Sequence, residues 1–388
     1  MTQRALAPAT FADYRAIAKK RLPRQLFDFI DGGAYQEVTL RDNAADLDRL
    51  RIRQRVLRDV SHIDTSADLF GMKAAMPLAL APVGLAGMFR RRGEAQAVRA
   101  ANAANVPFCL STVGVCGIEE VAAAASTPFW FQLYVMRDRG VARELLQRAA
   151  AVGCTTLALT VDLAYPGARY RDVRSGFGGG LDKWGDLAVL FDRARRFAWL
   201  RDVAIGGRPH APGNLARYLP DNATLPQFSA FAAQNLDPSV SWKDVEWIRG
   251  EWKGAVLLKG VLDAEDARRA VDAGVQGVIV SNHGGRQLDS ARSSIGALPS
   301  VIDAVEGRIE VLMDGGVRSG LDVVKAVATG AKACLIGRAW VWPLAAQGEA
   351  GVTRMLAFMK KEIEIAMALA GLTNIGEITR AALDRPDI

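Results

Sequence analysis

Short apolar runs recur along the chain, and most of them end in glycine, proline or polar residues. Eight runs have the length and composition of buried β-strands. They are LALAP from 78, FCLST from 108, FWFQLYV from 129, TLALTVD from 156, AVLLKG from 255, GVIVSNHG from 277, EVLMDGG from 310 and ACLIGR from 333. Between most of them lies an Ala-rich segment of helical periodicity, such as VARELLQRAAAVG or LDVVKAVATG. The pattern therefore predicts strands that alternate with helices.

Such alternation predicts a parallel sheet, and eight repeats of roughly 20 to 30 residues predict a closed (β/α)8 TIM barrel in the α/β class. An open doubly wound sheet is the alternative. The barrel is favoured because no GxGxxG follows the first run and polar residues recur at nearly every strand end. In a barrel the chemistry lies at the carboxyl ends of the strands, so these polar residues are expected to converge.

The 388 residues are predicted to form a single domain in which additions surround the barrel. The gap between the fourth and fifth runs is far longer than the others, as is typical of a lid, a docking surface or a disordered insertion. The predicted parts are an N-terminal helical cap at 1–75 with helices near 11–20 and 24–31, the barrel at 76–345 with an insertion at about 176–245 after strand 4, and C-terminal helices at 346–388.

Within the insertion, residues 187–200 mix leucine, valine, phenylalanine and tryptophan with Arg193, Arg195 and Arg196. The first expectation is an amphipathic helix packed on the barrel. The alternative is a helix that lies on an anionic membrane surface.

Half of the residues are hydrophobic and the formal net charge is +7. The basic residues are scattered among acidic ones and no nucleic-acid-binding motif is present, so a nucleic-acid partner is not expected. The four cysteines, Cys109, Cys116, Cys154 and Cys334, form no CxxC pattern. They are predicted to be buried thiols, and neither a metal site nor a disulfide is expected.

The segment MTQRALAPATFADYRAIAKKRLP has no apolar core of signal-peptide length, which predicts a cytoplasmic protein. Residues 100–118 carry no charge, yet asparagine, proline, serine, threonine and glycine interrupt them. A buried helix end, a strand and a loop account for this stretch better than a membrane span does.

The stretch SNHGGRQLD at 281–289 follows the apolar run GVIV. His283 therefore lies just past the carboxyl end of a strand, and Gly284 and Gly285 allow another molecule to come close to the backbone. Arg286 adds a cation that can fork onto a carboxylate, so one loop presents a base beside an anion-binding group. For this loop alone, a histidine in an ordinary Gly-rich turn is the structural alternative.

Polar residues also follow the other strands. They are Gln132 and Tyr134 after the third, Thr160 and Asp162 after the fourth, Lys259 after the fifth, Asp314 to Arg318 after the seventh, and Gly337 and Arg338 after the eighth. Glycines with accessible N–H groups and an arginine after each of the last two strands predict a phosphate pocket. A phosphate alone suits a sugar-phosphate isomerase, but the further hydrogen-bonding groups favour a larger phosphorylated cofactor.

The SNHGGRQLD stretch, with LKG upstream and DGGVRSGLDVVKA and IGR downstream, resembles the FMN-dependent α-hydroxy acid dehydrogenase and oxidase family. The resemblance runs from RLPRQLFDFIDGGA at 21 to the C-terminal helices. Within the family, LALAPVGLAGMFRRRGE, WFQLYVMRDRG, TVDLAYPGARYRD and SWKDVEWIR are most similar to the branch of bacterial respiratory L-lactate dehydrogenases.

The resemblance implies that bound FMN takes electrons from an L-2-hydroxy acid, most simply in the conversion of L-lactate to pyruvate. Its catalytic residues would be His283 as the base, Asp162 behind that imidazole, Tyr134 on the reacting oxygen, and Lys259 beside the flavin ring. Arg286 and Arg169, with Tyr134 and the position of Phe29, would bind the substrate. The residues implied to hold FMN are Pro82, Val83, Gly84, Ser111, Gln132, Thr160, Lys259 and Ser281 around the ring and its chain, and Asp314, Gly315, Gly316, Val317, Arg318, Gly337 and Arg338 around the ribityl phosphate.

The branch resemblance and the insertion further imply that electrons pass to a quinone or a cytochrome. They also imply a peripheral position on the inner face of the cell membrane, and the family resemblance implies a homo-oligomer. The alternatives are a soluble oxidase that uses O2, a mandelate-type dehydrogenase, for which Val113 leaves room, and a barrel that binds a phosphorylated ligand without redox chemistry.

Phe29 departs from the family pattern, because the family usually carries tyrosine there and uses its hydroxyl on the substrate carboxylate. The missing hydrogen bond predicts weaker binding or an altered choice of substrate. Family oxidases often have alanine at the position of Gly84, so glycine there agrees with a dehydrogenase.

Overall fold

The computed structural model describes residues 7–177, 179–221 and 223–384. Eight parallel strands follow one another around a single sheet in chain order, with the first strand beside the eighth. They are β1 Leu78–Leu80, β2 Cys109–Ser111, β3 Trp130–Leu133, β4 Thr156–Thr160, β5 Ala255–Val261, β6 Gly277–Val280, β7 Glu310–Asp314 and β8 Ala333–Ile336. An isolated parallel bridge between Leu80 and Phe108 joins the two remaining edges. The predicted (β/α)8 barrel is therefore confirmed.

The interior of the barrel is filled with apolar side chains. Alternate strand residues such as Trp130, Leu257, Ile279 and Leu312 form one buried cluster. A hairpin of two antiparallel strands, Ala67–Leu69 and Met72–Ala74, adds Phe70, whose ring meets that of Trp130 edge to face at 5.8 Å. Because this cluster occupies the inside of the barrel, a ligand is confined to the carboxyl ends of the strands.

The described ranges contain fifteen helices, and helical turns occur at Ala86–Met88, Phe197–Trp199, Leu200–Ile205, Gly213–Tyr218, Ile375–Glu377 and Arg380–Ala382. The helices are α1 Phe11–Arg21, α2 Arg24–Asp31, α3 Val38–Arg49, α4 Gly93–Ala103, α5 Ile118–Ala124, α6 Arg139–Ala151, α7 Tyr170–Ser175, α8 Lys183–Arg195, α9 Leu225–Asn235, α10 Trp242–Glu251, α11 Ala264–Asp272, α12 Ser294–Val305, α13 Gly320–Thr329, α14 Arg338–Gln347 and α15 Glu349–Ala370.

The first three helices cover the carboxyl end of the barrel. Helix α1 begins at a capping box between Thr10 and Asp13 and packs against α14. Helix α2 packs against α7, and its last residue, Asp31, accepts hydrogen bonds from Arg15 and Arg171. These contacts bring the end of α2 to the mouth of the barrel. Residues 1–6 of the predicted cap, 178 and 222 of the predicted insertion, and 385–388 lie outside the described residues.

Helix α8 corrects part of the expectation for residues 187–200, because none of its described residues is buried and it packs against α2 of the cap. The end of the segment does meet the barrel, since Trp199 is buried and its Nε1 donates to the carbonyl of Met88 at 2.8 Å. The polar side of α8 meets the cap: Asp192 accepts the backbone N–H of Arg24, and Arg193 donates to Gln25. The apolar side chains point away from these contacts. Helical periodicity predicts that a helix has two faces, but it does not tell which face meets the rest of the protein.

Two smaller predictions are confirmed. All four cysteines are free and buried. Residues 100–118 form the end of α4, strand β2 and a loop, as expected. No helix in the described part of the chain has the length and apolar character needed to cross a bilayer.

Candidate active site

A cavity of about 550 Å³ opens at the carboxyl ends of the strands. Barrel, cap and insertion all contribute side chains to its wall. The predicted site residues that line it are Phe29, Pro82, Val83, Gly84, Tyr134, Thr160, Arg169, Lys259, His283, Arg286, Asp314, Gly315, Gly316, Val317, Arg318, Gly337 and Arg338. Asp162, Ser111, Gln132 and Ser281 are joined to these residues, or to one another, by hydrogen bonds. The structure thus brings the predicted residues together although they are far apart in sequence.

His283 is held in an unusual backbone conformation. Its φ is +59°, and Gly284 and Gly285 follow at +67° and +74°, so three successive residues are left-handed. For a residue other than glycine this conformation is uncommon and costs energy. Its N–H donates to Ser281 Oγ at 3.0 Å, and the N–H of Gly285 donates to Asn282 Oδ1 at 2.9 Å. These bonds hold the loop in the strained conformation that presents the imidazole to the cavity.

Asp162 lies directly behind His283. The imidazole Nδ1 is 3.0 Å and 3.2 Å from the two carboxylate oxygens, which leaves Nε2 for the cavity. Burial opposes ionisation of Asp162, but attraction by His283 and Lys259 outweighs it and holds the pKa of this carboxyl below its ordinary value. The carboxylate is therefore charged at neutral pH and can stabilise a protonated imidazole.

Lys259 is buried at the end of β5. Its Nζ lies 2.7 Å from Asp314 Oδ2 and donates to Ser281 Oγ at 3.0 Å. Burial disfavours its charge, but attraction by Asp314 and Asp162 raises the pKa of Lys259 above its ordinary value. The lysine is thus a fixed cation in the cavity wall. The other oxygen of Asp314, Oδ1, is buried without a hydrogen-bond partner in the described ranges, as expected where a ligand supplies the donor.

A row of buried polar side chains crosses the ends of three neighbouring strands. Ser111 Oγ donates to Gln132 Oε1 at 3.1 Å, and Gln132 Nε2 donates to Thr160 Oγ1 at 3.0 Å. Ser111 and Gln132 are direct partners in the β2–β3 register. Thr160 lines the cavity, and hydrogen bonds join it to Gln132 and Ser111. Fixed donors and acceptors of this kind beside apolar cavity residues suit a flat heteroaromatic ring.

Three arginines lie close together where the cap covers the mouth of the barrel. They are Arg169, Arg286 and Arg338. Arg286 Nη1 donates to the carbonyl oxygens of Phe29 and Gly32. Burial, followed by repulsion from Arg169 and Arg338, lowers the pKa of Arg286 well below its ordinary value. Burial also lowers the pKa of Arg338 to about 10, which still leaves that side chain charged at neutral pH. A concentration of buried positive charge of this kind favours the binding of an anion.

The side chain of Arg338 is engaged differently from its expected role on a phosphate. Its Nε, Nη1 and Nη2 donate to the carbonyl oxygens of Ile30, Gly284 and Gly32 at 2.7, 2.9 and 2.8 Å. The guanidinium therefore fastens the cap to the barrel. In contrast, Arg318 is exposed, and its guanidinium lies 5.0 Å from the ring centre of Phe11 at the edge of the cavity.

The glycines after β7 make a backbone corner in the cavity wall. Gly315 and Gly316 have φ values of +98° and +86°. A Cβ on Gly316 would lie 2.1 Å from the carbonyl oxygen of Asn43 in α3, so only glycine fits there. This corner lines the cavity next to Arg318 and is the kind of concavity in which backbone N–H groups bind a phosphate.

Tyr134 and Phe29 also line the cavity. Burial, with a smaller contribution from Asp162, raises the pKa of Tyr134 to about 12, so its hydroxyl stays a donor at neutral pH. The ring of Phe29 stacks on that of Phe177, with centroids 4.2 Å apart and planes 10° apart. The guanidinium of Arg286 lies 4.9 Å from the centre of the Phe29 ring. Phe29 is thus held between an aromatic ring and a guanidinium, and it has no hydroxyl to offer to a ligand.

Sequence reasoning missed two sets of cavity residues. Asp172, on the same turn of chain as Arg169, lines the cavity, and burial raises the pKa of its carboxyl. The insertion adds an apolar wall that includes Phe177, Phe228, Phe231 and Leu236. The spacing of Phe228 and Phe231 on one side of a helix was a signal for that wall, but nothing local pointed it toward the cavity.

The mouth of the barrel brings together an imidazole base, an anion-binding arginine cluster and polar groups suited to a phosphorylated heteroaromatic cofactor. These groups define a cofactor-dependent (β/α)8 enzyme. The chain belongs to the FMN-dependent dehydrogenase family, whose model matches residues 18–385. The prediction of this family and of FMN as the cofactor is confirmed.

Similar proteins support the same assignment. The chain is 55% identical over 371 residues to an L-lactate dehydrogenase of Caulobacter vibrioides (strain NA1000 / CB15N), with 96% of both proteins covered. It is 54% identical over 376 residues to an L-lactate dehydrogenase of Alcaligenes faecalis, with 96% of this chain and 98% of that protein covered. Among solved structures it is similar to (S)-mandelate dehydrogenase, described as a monotopic membrane protein, with a TM-score of 0.91, 35% identity, and coverage of 98% of this chain and 100% of that one. A mandelate oxidase has a TM-score of 0.80 and 39% identity, with 95% and 96% covered.

Proposed function

We propose that the chain oxidises an L-2-hydroxy acid, with L-lactate as the preferred substrate and pyruvate as the product. The observation that carries the proposal is the His283–Asp162 pair in the same cavity as the arginine cluster and the groups suited to FMN. The relatives that are more than half identical to this chain are named L-lactate dehydrogenases, which supports lactate over other hydroxy acids.

The substrate carboxylate would bind to Arg286 and Arg169, where it offsets the mutual repulsion of the cations. Tyr134, which keeps its proton, would donate a hydrogen bond to the reacting oxygen. His283 Nε2 would then accept the proton of the 2-hydroxyl group, and Asp162 would stabilise the resulting imidazolium. The chemistry that FMN would supply when bound is two-electron oxidation, in which the hydrogen on C2 of the substrate would leave together with the electron pair and be taken up by the flavin.

The residues present fit FMN, because Asp314 Oδ1 is buried without a hydrogen-bond partner among the described residues and could accept a hydrogen bond from a ribityl hydroxyl. Ser111, Gln132 and Thr160 would hold the ring, with the backbone of 82–84 along it and Lys259, steadied by Ser281, as the nearby cation. The phosphate would bind at the corner formed by Gly315, Gly316 and Val317, to the side chain of Arg318 and to the backbone at Gly337 and Arg338.

An absorption spectrum of the purified protein tests the proposal directly. The protein is expected to be yellow, and the flavin band is expected to bleach on anaerobic addition of L-lactate. Faster bleaching by (S)-mandelate would favour the mandelate-type alternative, and stoichiometric peroxide formation in air would favour an oxidase. Colourless protein that FMN cannot reconstitute would contradict the proposal.

Phe29→Tyr is expected to lower KM for L-lactate roughly 2- to 10-fold with little change in kcat, because it restores one hydrogen bond to the substrate carboxylate. Steady-state kinetics with a series of short 2-hydroxy acids measure the effect. Phe191→Tyr adds the same hydroxyl at an exposed position of α8 and serves as the control. An unchanged KM for every acid in the series would contradict the prediction.

We also propose that the protein lies on the inner face of the cell membrane through α8. Trp184, Leu187 and Phe191 follow helical spacing along one stripe and are 80%, 55% and 64% exposed. Lys183 and Arg195 lie on the same helix and suit anionic lipid headgroups. The similarity to a monotopic membrane protein supports contact with a membrane surface.

Leu187→Glu is expected to weaken binding to vesicles of anionic lipid by roughly 10-fold or more. The reason is that a leucine side chain transferred from water into the bilayer contributes about one to two powers of ten to the binding constant. Vesicle flotation measures the bound fraction. Leu369→Glu, at an exposed position of α15, is the control and is expected to leave binding unchanged. Equal flotation of both variants would refute the membrane contact, whereas lactate-dependent bleaching should persist in each.

A lipophilic quinone is the proposed electron acceptor, and a cytochrome is the second candidate. Support for the quinone comes from the apolar wall that Phe228, Phe231 and Leu236 add to the cavity.

We propose that the chain works as one domain, since cap, barrel and insertion all line this cavity. The homo-oligomeric state stays a prediction.

A further inference from the structure

The insertion also meets the loop beside the cofactor cavity, through the buried side chain of Asn214. This residue lies in the helical turn Gly213–Tyr218 and is fully buried. Its Nδ2 donates to the carbonyl oxygens of Ser111 and Thr112, each at 3.3 Å. Its Oδ1 accepts the backbone N–H of Ile118 at 2.7 Å. One amide therefore bonds to both ends of the loop at 111–118, here called the β2 loop.

The β2 loop is held from two sides. On the insertion side, the N–H of Gly213 donates to the carbonyl of Gly114 at 3.0 Å, and a Cβ on Gly213 would lie 2.5 Å from the nitrogen of Gly117. On the barrel side, the buried Glu94 accepts the N–H groups of Val115 at 2.7 Å and Cys116 at 3.3 Å. Backbone groups of the loop thus depend on partners outside it.

The position of this loop determines the shape of the flavin wall. Ser111 begins the polar row through Gln132, and the N–H of Thr112 also donates to Gln132 Oε1 at 3.2 Å. The carbonyl of Val113 accepts the N–H of Leu85 at 2.9 Å. A Cβ on Gly84 would lie 2.6 Å from Val113 Cγ2, so a shift of the loop changes the space beside residues 82–84.

We propose that Asn214 is a positioning residue through which the insertion sets the geometry of the FMN site. The inference rests on the proposed assignment of the β2 loop to the flavin wall. Without the Asn214 amide, the carbonyl of Thr112 and the N–H of Ile118 lose a buried partner, and the carbonyl of Ser111 is left with the N–H of Gly114 at 3.0 Å. A folded protein strongly disfavours the loss of buried partners. The insertion is therefore part of the cofactor site as well as a membrane-facing segment.

Asn214→Asp tests the role with almost no change of shape. The carboxylate can still accept the N–H of Ile118, but it cannot donate to the two carbonyls. The dissociation constant of FMN is expected to rise about 10-fold or more, as measured by FMN fluorescence on dilution. Amide exchange in the apoprotein should accelerate within 112–118. The flavin absorption bands should shift, and flavin reduction should slow while KM for L-lactate changes less than about twofold.

Asn235→Asp is the matched control. It is the same substitution in the same insertion. Among the residues that the structure describes, Asn235 Nδ2 donates to the carbonyl of Phe231 within α9, at 2.9 Å, and to no group of the β2 loop. It is expected to leave FMN affinity, flavin absorption and amide exchange at 112–118 unchanged. If both variants lose FMN equally, the effect belongs to the insertion as a whole and the role of Asn214 is overturned.

Asn214→Ser keeps a small polar group and avoids a buried charge, so it serves if Asn214→Asp does not fold. A shifted flavin spectrum with an unchanged thermal melting temperature supports positioning. Wild-type FMN affinity, spectrum and loop exchange in a folded variant overturn it. Failure of the proposed function would show instead as wild-type protein that binds FMN but is not bleached by L-lactate, and the FMN and exchange measurements would still report on Asn214.

Discussion

Replacing His283 with glutamine is expected to slow the reduction of bound FMN by L-lactate by roughly 10²- to 10⁴-fold, the usual contribution of a general base. The glutamine side chain keeps a hydrogen-bonding group, but it cannot take up the proton that the 2-hydroxyl group of the substrate releases. Asp162 then has no imidazolium to stabilise. Substrate binding should change much less, because Arg286 and Arg169 are untouched.

Anaerobic stopped-flow absorption measures the rate without any contribution from the electron acceptor. FMN content should equal that of the wild type, since no proposed flavin contact is removed. His62→Gln, at an exposed position, is the matched control and should reduce flavin at the wild-type rate. A loss of less than 10-fold in His283→Gln would mean that another group takes the proton, and Asp172, which lines the same cavity, would be the first to examine.

Replacing Lys259 with methionine is expected to give the second largest effect, a loss of both FMN and stability. Lys259 and Asp314 form a buried ion pair 2.7 Å apart, and removal of one partner leaves an uncompensated charge. Such a change costs about 3–5 kcal/mol. Because the pKa of Lys259 is raised in the folded state, its contribution is present at neutral pH and is lost only as the pH rises through that raised value.

Denaturant unfolding and FMN titration measure the two losses separately. The double variant Lys259→Met with Asp314→Asn should regain much of the stability, because no lone charge stays buried, but should still reduce flavin slowly. Lys332→Met removes a lysine from a more exposed pair with Glu310 and is the control for loss of a lysine as such. If Lys259→Met were as stable as this control, the buried pair would not contribute to the free energy of unfolding as proposed.

The barrel was predictable because each strand is enclosed on both faces. Burial of that kind requires continuous apolar runs, and these mark the strands even without alternation. All eight predicted runs contain a strand of the sheet. The helices between them were equally visible from their periodicity. The residues that meet at the mouth followed from the rule that chemistry lies at the carboxyl ends of barrel strands.

Helix α8, Arg338 and Asn214 show where such prediction stops. The periodicity of α8 indicates an apolar face, but the contacts of Asp192 and Arg193 with the cap turn that face outward. The sequence places Arg338 after a glycine at a strand end, but the carbonyls that its side chain binds belong to residues about 300 positions away or on another loop. Asn214 bonds to a loop about 100 residues upstream.

By itself, the sequence determined the fold class, the strands, the family and the chemical types gathered at the barrel mouth, because apolar periodicity and residue chemistry are local properties of a chain. Only the tertiary structure decided which groups are still free to act. Arg338 is committed to the cap, Arg318 is exposed at the cavity edge, and Phe29 is stacked on Phe177. The physical reason is that a hydrogen-bonding group is defined by its partner, and these partners come from segments that folding alone brings together.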